Sequence, residues 1–122
     1  MTKRILVVED QVDNRQILRD LLTSADYEMT EAENGEEALA AVAKQRPDLI
    51  LMDIQLPIMD GYEATRRIKA NPAWKDIPII VVTSYALSGD EAKARDAGCD
   101  AYVTKPYSPR ALLAKIREYL PK

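Results

Sequence analysis

The sequence predicts an α/β protein in which five parallel strands alternate with five helices, a (βα)5 doubly wound sheet. Three observations predict it. Short apolar runs alternate with amphipathic stretches along the whole chain. Two of the runs, ILVV at Ile5–Val8 and IIVV at Ile79–Val82, are rich in β-branched residues and apolar throughout, as strands covered on both faces are. Helix start and stop residues fall between the runs and in phase with them. Such alternation implies parallel pairing through right-handed crossovers, with helices on both faces.

The elements follow in order. The first strand, Ile5–Val8, ends on Glu9-Asp10, and Ile17, Leu18, Leu21 and Leu22 then recur at helical spacing. A weaker second strand, Glu28–Ala32, leads to Asn34, which stands three before Glu37 as in a capping box. Ala38, Leu39 and Val42 carry that helix until Pro47 stops it. The third strand, Leu49–Met52, ends on Asp53. Asp60 can cap a helix starting near Gly61, with Asn71-Pro72 as its stop. The fourth strand, Ile79–Val82, runs into Thr83-Ser84. Ser88 stands three before Glu91, a second capping-box spacing, and Gly98 ends the helix. This helix, around Ser88–Ala97, is the least apolar and is expected to be the most exposed and mobile. The fifth strand, Ala101–Thr104, runs into Lys105-Pro106. Ser108-Pro109 is a cap with proline at the first helical position, and Leu112, Leu113, Ile116 and Leu120 line the last helix. No linker, repeat or low-complexity segment interrupts the pattern, so residues 1–122 are expected to form one domain with no output domain attached.

Composition narrows the function. A chain of 122 residues, 47% apolar and 30% charged, suits a globule with a single core. A net charge of −3 argues against a nucleic-acid binder, which would show a basic balance. No apolar run approaches a membrane span, and MTKRILVVED is too short in apolar residues for a signal-peptide core. The single Cys99 excludes an intrachain disulfide. A cytoplasmic location is expected. The chain has no histidine, which removes Ser-His-Asp and Cys-His nucleophile pairs and histidine-ligated zinc. Carboxylates, lysine, hydroxyls and a hard metal remain.

Ligands of open α/β sheets bind outside the carboxyl ends of the strands, at the switch point in strand order. Glu9 and Asp10 follow the first strand, Asp53 the third, Thr83-Ser84 the fourth and Lys105-Pro106 the fifth. Glu33 and Asn34 after the second strand read as turn and cap chemistry only. In a sheet ordered 2-1-3-4-5, strands one and three are neighbours, and Glu9, Asp10 and Asp53 come together. Two carboxylates about 4 Å apart repel by ~4 kcal/mol at an effective dielectric near 20, so the cluster needs a cation. Hard oxygen donors favour Mg²⁺, usually held by one or two carboxylates, waters and a phosphate. With Lys105 and the Thr83 hydroxyl nearby, the set suits an incoming phosphoryl group. An aspartate can itself be the nucleophile. Asp53, the central acid on a strand end, is the candidate.

VVED, LMDIQLPIMDG, VVTSYA and YVTKPY, in this order, resemble the response-regulator receiver family with its flavodoxin/CheY-like fold, over nearly the whole chain. The strand order 2-1-3-4-5 is that of this fold and comes from the resemblance. LILMDIQLP and GCDAYVTKP resemble most the stand-alone, DivK-type receivers. The resemblance implies a single-domain response regulator of a two-component or phosphorelay system. Asp53 then accepts a phosphoryl group from a phosphohistidine on a sensor histidine kinase or a histidine phosphotransfer protein. Glu9 (through water), Asp10, Asp53 and the Gln55 backbone carbonyl hold Mg²⁺, with Mn²⁺ as an alternative ion. Thr83 and Lys105 grip the phosphoryl group, a switch couples Thr83 to Tyr102, and Lys105-Pro106 matches the family's cis peptide. Gln55 and Tyr85, two residues beyond Asp53 and Thr83, tune the phosphoryl lifetime. The chain is then a signalling protein that dephosphorylates itself slowly, not an enzyme. Its target binds the surface of the fourth helix, fifth strand and fifth helix, and the chain acts as a monomer or weak dimer without nucleic acid or membrane. Ser84, where alanine is frequent, and Tyr107, where phenylalanine is, are the departures from the commonest pattern.

Taken singly, each residue has a plainer role. Asp10 reads as a cap of the first helix, Glu9 as a solvated charge, Asp53 as a turn cap before Pro57, Thr83 and Ser84 as partners of loop backbone, and Lys105 as a surface lysine. Tyr102 reads as a half-buried strand aromatic. Their joint appearance at successive strand ends favours a site. Cys99 reads as a small filler, Trp74 as packing a loop on the core, and Gly35, Gly61 and Gly98 as backbone punctuation. Arg66, Arg67 and Lys69 read as a solvated helix face.

Other functions fit less well. A flavin binder of the same strand order needs a hydroxyl- and glycine-rich phosphate loop after the first strand, where this chain has EDQVDN. A haloacid-dehalogenase-type phosphatase needs a second acid two residues beyond its aspartate, and here that residue is Gln55. A pseudo-receiver that docks without phosphorylation is opposed by the complete acid, hydroxyl and lysine set.

Overall fold

In the computed structural model, which describes residues 2–84 and 89–120, the elements run β1 (Arg4–Val8), α1 (Val12–Ser24), β2 (Glu28–Ala32), α2 (Gly35–Lys44), β3 (Leu49–Met52), α3 (Gly61–Ala70), β4 (Ile79–Thr83), α4 (Asp90–Ala97), β5 (Ala101–Thr104) and α5 (Pro109–Tyr119). The strands form one parallel sheet in the order β2-β1-β3-β4-β5. The alternation of period and the strand order are those expected. No helix among the described residues is long and apolar enough to cross a membrane.

Alternate residues of each strand face opposite sides of the sheet, and this divides the core in two. Leu6, Val8, Ile50, Met52, Ile79 and Val81 pack under α2, α3 and α4, with Ala38, Val42, Ala64, Ile68 and Ala94 from those helices. Ile5, Val7, Leu49, Leu51, Ile80 and Val82 pack under α1 and α5, against Leu18, Leu22, Leu112, Ile116 and Leu120. β1, β3 and β4 are therefore covered on both faces, which is why their sequences do not alternate with polar residues.

The helix starts are mostly side-chain caps. Asn34 Oδ1 accepts from the Glu37 amide and Asp60 Oδ1 from the Glu63 amide, both at 2.9 Å. Ser108 accepts from the Ala111 amide ahead of Pro109. α4 differs from its expected start: its N-cap is Gly89, in the left-handed region at φ 92°, with no side-chain cap. Ser88 and Tyr85 lie outside the described residues. Only Ala94 and Ala97 of α4 are buried, so it is exposed as its sequence suggested. Gly98, at φ 110°, closes it, a conformation natural to glycine.

Lys69 corrects the expected solvated face of α3. Arg66 and Arg67 are exposed and pair with Glu63. Lys69 instead turns inward, and its Nζ donates to the Lys75 and Ile77 carbonyls and to Asp100 Oδ2. Three acceptors gathered where the α3–β4 connection meets β5 replace the water that the ammonium gives up. Trp74 and Cys99 pack on the α2–α3–α4 core as expected.

Candidate functional site at the carboxyl ends of the strands

The register places the acids. Val8 pairs with Met52 at the ends of β1 and β3, so Glu9 and Asp53 follow side by side. The Asp53 amide continues the ladder by donating to the Val8 carbonyl at 3.0 Å. Carboxylate oxygens of Glu9, Asp10 and Asp53 lie within 4.8 Å of one another. Asp10 and Asp53 are half-buried, whereas Glu9 is buried at 2% exposure. Neither single-residue reading of the first two acids survives. Glu9 is not solvated, and the N-cap of α1 is Gln11, not Asp10.

Lys105 reaches this cluster from the end of β5. Thr83 pairs with Thr104, and the Lys105 amide donates to the Thr83 carbonyl at 2.8 Å. Lys105 Nζ lies 2.7 Å from Glu9 Oε1 and 3.5 Å from Asp53 Oδ2. Burial alone would lower the pKa of this ammonium; the Glu9 and Asp53 carboxylates outweigh it and leave the pKa raised. The Lys105–Pro106 peptide is cis. Asp53 Oδ1 accepts from the Ile54 amide at 2.7 Å, so its other oxygen is the one turned to the lysine.

Thr83 is fully buried at the end of β4. It shares a sheet face with Val81, whose partner in register is Tyr102, so the threonine and the half-buried tyrosine border the same side under α4. Gln55 is exposed on the loop two residues past Asp53. Beside Lys105, Ile17, Leu18, Pro106, Tyr107 and Pro109 line a groove of about 430 Å³ between α1 and the start of α5. Val12 and Ile17 on the exposed side of α1 are 67% and 56% accessible.

The donor set fits a hard divalent cation. Glu9 and Asp53 face the Lys105 ammonium and Asp10 adds a third carboxylate, and like charges about 4 Å apart repel by ~4 kcal/mol at an effective dielectric near 20. Both Glu9 oxygens are engaged, Oε1 by Lys105 and Oε2 by the Gln11 amide at 3.1 Å. Asp10 and Asp53 are the half-exposed oxygen donors, which matches the one or two carboxylates plus waters that Mg²⁺ takes.

Two residues escaped the sequence reading. Gly61 is more than punctuation: a β-carbon there would lie 2.1 Å from the Asp53 carbonyl oxygen and 2.9 Å from Ile54 Cα. A glycine at the first position of a helix, where most residues are tolerated, was the available signal of that close approach. Arg15, whose Nη1 donates to the Glu9 carbonyl at 2.8 Å, carries no comparable signal, because its partner is main chain.

Comparisons with known proteins agree with this geometry. Residues 5–117 match the family described as the response regulator receiver domain. The chain is 43% identical over 120 residues to the polar-differentiation response regulator DivK of Brucella anthropi, covering 98% of each. Among solved structures it is similar to the receiver domain of a sensor histidine kinase of Pseudomonas aeruginosa, with magnesium coordinated in its active-site cleft (TM-score 0.92, 35% identity, 100% of both chains). It is also similar to the chemotaxis protein CheY4 of Vibrio cholerae (TM-score 0.91, 28% identity, 98% of this chain and 99% of that one). With a sheet, an acidic cluster and a sequence that all agree, the chain belongs to the response regulator receiver domains of two-component signalling.

Proposed function

We propose that this chain is a single-domain response regulator whose phosphoacceptor is Asp53. The observation that carries the reading is the convergence on Asp53, at the end of β3, of Glu9 and Asp10 from the end of β1 and Lys105 from the end of β5. The donor is a phosphohistidine of a sensor histidine kinase or a histidine phosphotransfer protein. Asp53 Oδ2, the oxygen turned to Lys105, forms a bond to phosphorus while the bond from phosphorus to the imidazole nitrogen breaks, and that nitrogen keeps the electron pair. Asp10, Asp53 and the Gln55 carbonyl would hold Mg²⁺, with Glu9 contributing through water; Mn²⁺ would accept the same hard oxygens. Bound there, the ion would supply positive charge to the phosphoryl oxygens. Lys105 holds one phosphoryl oxygen and the Thr83 hydroxyl donates to another. Slow attack by water on the same phosphorus breaks its bond to the Asp53 oxygen, releasing inorganic phosphate and returning the free carboxylate.

The positions of Thr83, Lys105 and Tyr102 support a switch. Thr83 and Lys105 move toward the new phosphoryl group, and Tyr102 turns into the space vacated beside β4. The surface of α4, β5 and α5 then changes its affinity for a protein target. α4 suits this role because its only buried residues are the small Ala94 and Ala97 and its start has no side-chain cap. Such a switch needs only a few kcal/mol, since ~5.5 kcal/mol moves a 1:99 mixture to 99:1. The phosphodonor lands on the groove beside Lys105 and the exposed Val12 and Ile17. The chain acts in the cytoplasm as a monomer or weak dimer.

The test is intact mass after incubation with a small phosphodonor, with and without Mg²⁺, on the wild type and Asp53→Asn. One Mg²⁺-dependent phosphoryl adduct, absent from the variant, is the expected result. An adduct that persists in Asp53→Asn overturns the assignment. No adduct from small donors or from phosphorylated kinases, on folded protein, replaces it with a docking module that works without phosphate.

A further inference from the structure

At the end of β1 the Val8 carbonyl accepts from the Asp53 amide, inside the sheet. The Glu9 carbonyl, one residue further, accepts instead from Arg15 Nη1 on α1 at 2.8 Å. The Glu9 amide donates to the Ala32 carbonyl at 3.0 Å, so both main-chain polar groups of Glu9 are tied down. A peptide unit is planar, and the Glu9 carbonyl shares its plane with the nitrogen and Cα of Asp10. Whatever holds that carbonyl sets the direction in which Asp10 leaves the strand end.

Arg15 is itself braced. Its side chain is 13% exposed, and its Nε donates to Glu31 Oε1 on β2 at 3.1 Å. Nη1 also lies 3.8 Å from Glu33 Oε1. Glu31 pairs through its second oxygen with Arg19, one turn further along α1. The planar fork of a guanidinium can serve the carbonyl and the carboxylate together, which a lysine cannot do in one geometry.

We infer that Arg15 is a positioning residue for the metal site: braced on Glu31, it holds the Glu9–Asp10 peptide and so aims the Asp10 carboxylate at Asp53. The inference rests on the proposed role of Asp10 and Asp53 as donors to Mg²⁺. Charge and position pull in opposite directions here. A cation beside an acidic cluster weakens binding of a second cation, so loss of the Arg15 charge by itself tightens Mg²⁺ binding. Loss of the aim loosens it.

The experiment is calorimetric titration of the full chain with Mg²⁺ alone, paired with the denaturation midpoint of each variant. Arg15→Ala is expected to bind Mg²⁺ roughly 10-fold more weakly, the scale of losses from outer-shell partners of metal ligands. Arg15→Lys, which keeps the charge and removes the fork, is expected to show a smaller loss in the same direction. Glu31→Gln, whose amide oxygen still accepts from Nε, is expected to stay near the wild type. Unchanged or tighter Mg²⁺ binding in folded Arg15→Ala overturns the inference; should that variant not fold, unchanged binding in Arg15→Lys does so. Absence of Mg²⁺ binding by the wild-type chain overturns the parent reading and this one together, whereas wild-type binding with indifferent Arg15 variants overturns this one alone.

Discussion

Gly61 abuts Asp53 so closely that a β-carbon on the glycine would meet the aspartate's carbonyl oxygen at 2.1 Å. The contact is fixed from both sides, because the Gly61 amide donates to the Ile54 carbonyl at 2.9 Å and Gly61 opens α3 behind the Asp60 cap. The obstruction is main chain, which cannot rotate away as a side chain would. Gly61→Ala must therefore shift the loop that carries Asp53. Overpacking of this kind is expected to lower stability by ~1–3 kcal/mol. Urea denaturation measures that loss, and phosphoryl uptake should fall with it. An alanine variant of wild-type stability and uptake would show that the loop yields without moving Asp53.

A second prediction concerns the opposite end of the sheet. Asp100 Oδ2 accepts from Lys69 Nζ at 2.9 Å and from the Ile79 amide at 2.8 Å, and the Asp100 carbonyl accepts from Tyr119. One carboxylate thereby joins α3, β4 and β5. Asp100→Ala leaves a largely buried ammonium without its counter-charge and an amide without its acceptor. Two carbonyls still solvate Lys69, so the expected loss is ~2–4 kcal/mol, below that of a fully isolated charge. The measurement is the denaturation midpoint. Phosphoryl uptake at a temperature where the variant is folded should match the wild type, because the change is remote from the strand ends that carry the acids.

The contrast between these residues shows what a sequence can carry. Strands β1, β3 and β4 were legible because both of their faces are buried, and the acids were legible because they close those strands. Asp53, Asp10 and Lys105 needed only the order of the sheet to meet. Asn34 and Asp60 were legible as caps because their partner amides lie three residues away. Lys69 was not, because its acceptors come from the α3–β4 connection and β5, and a lysine on a helix face has the same local pattern whether it turns out or in. Glu9 was legible as a member of the acidic cluster, but not its pairing at 2.7 Å with Lys105, far along the chain. Gly61 and Arg15 act on main chain, which has the same composition everywhere.

Tyr62 gives a pH-dependent prediction. It is 9% exposed at the start of α3, its hydroxyl approaches the Asp90 carbonyl at 3.4 Å, and Lys93 Nζ stands 5.1 Å from the ring centroid. Burial first, and then the Asp90 carboxylate, push its hydroxyl up to about 12 from 10.0. The folded state thus keeps the phenol proton that the unfolded chain gives up earlier. This contribution to stability is fully present below pH 10 and is lost as the pH rises toward 12. Ultraviolet titration should show an ionisation near 12 that disappears in Tyr62→Phe, and the variant's stability should fall less steeply with alkaline pH. A phenol at position 62 that titrates at the ordinary 10.0 would remove the burial account.

Ile17 separates the chemistry of the site from its approach. It is 56% exposed on α1, it lines the groove beside Lys105, and it makes no contribution to the acidic cluster. An exposed apolar side chain of this kind adds little to folding, so Ile17→Ala should stay within ~0.5 kcal/mol of the wild type. A small phosphodonor diffuses to Asp53 without touching the groove, and its uptake should be unchanged. Under the proposed function, a protein donor seats its phosphohistidine over Asp53 and covers the neighbouring surface. With such a donor, active on the wild type, transfer at subsaturating concentration should slow about 5- to 10-fold, the equivalent of the ~1–1.4 kcal/mol lost when an interface anchor is truncated. Rapid-quench measurement of both donors on both chains decides it. Equal slowing with both donors would mean that Ile17 acts on Asp53 itself, and no slowing with either would place the protein donor on another face.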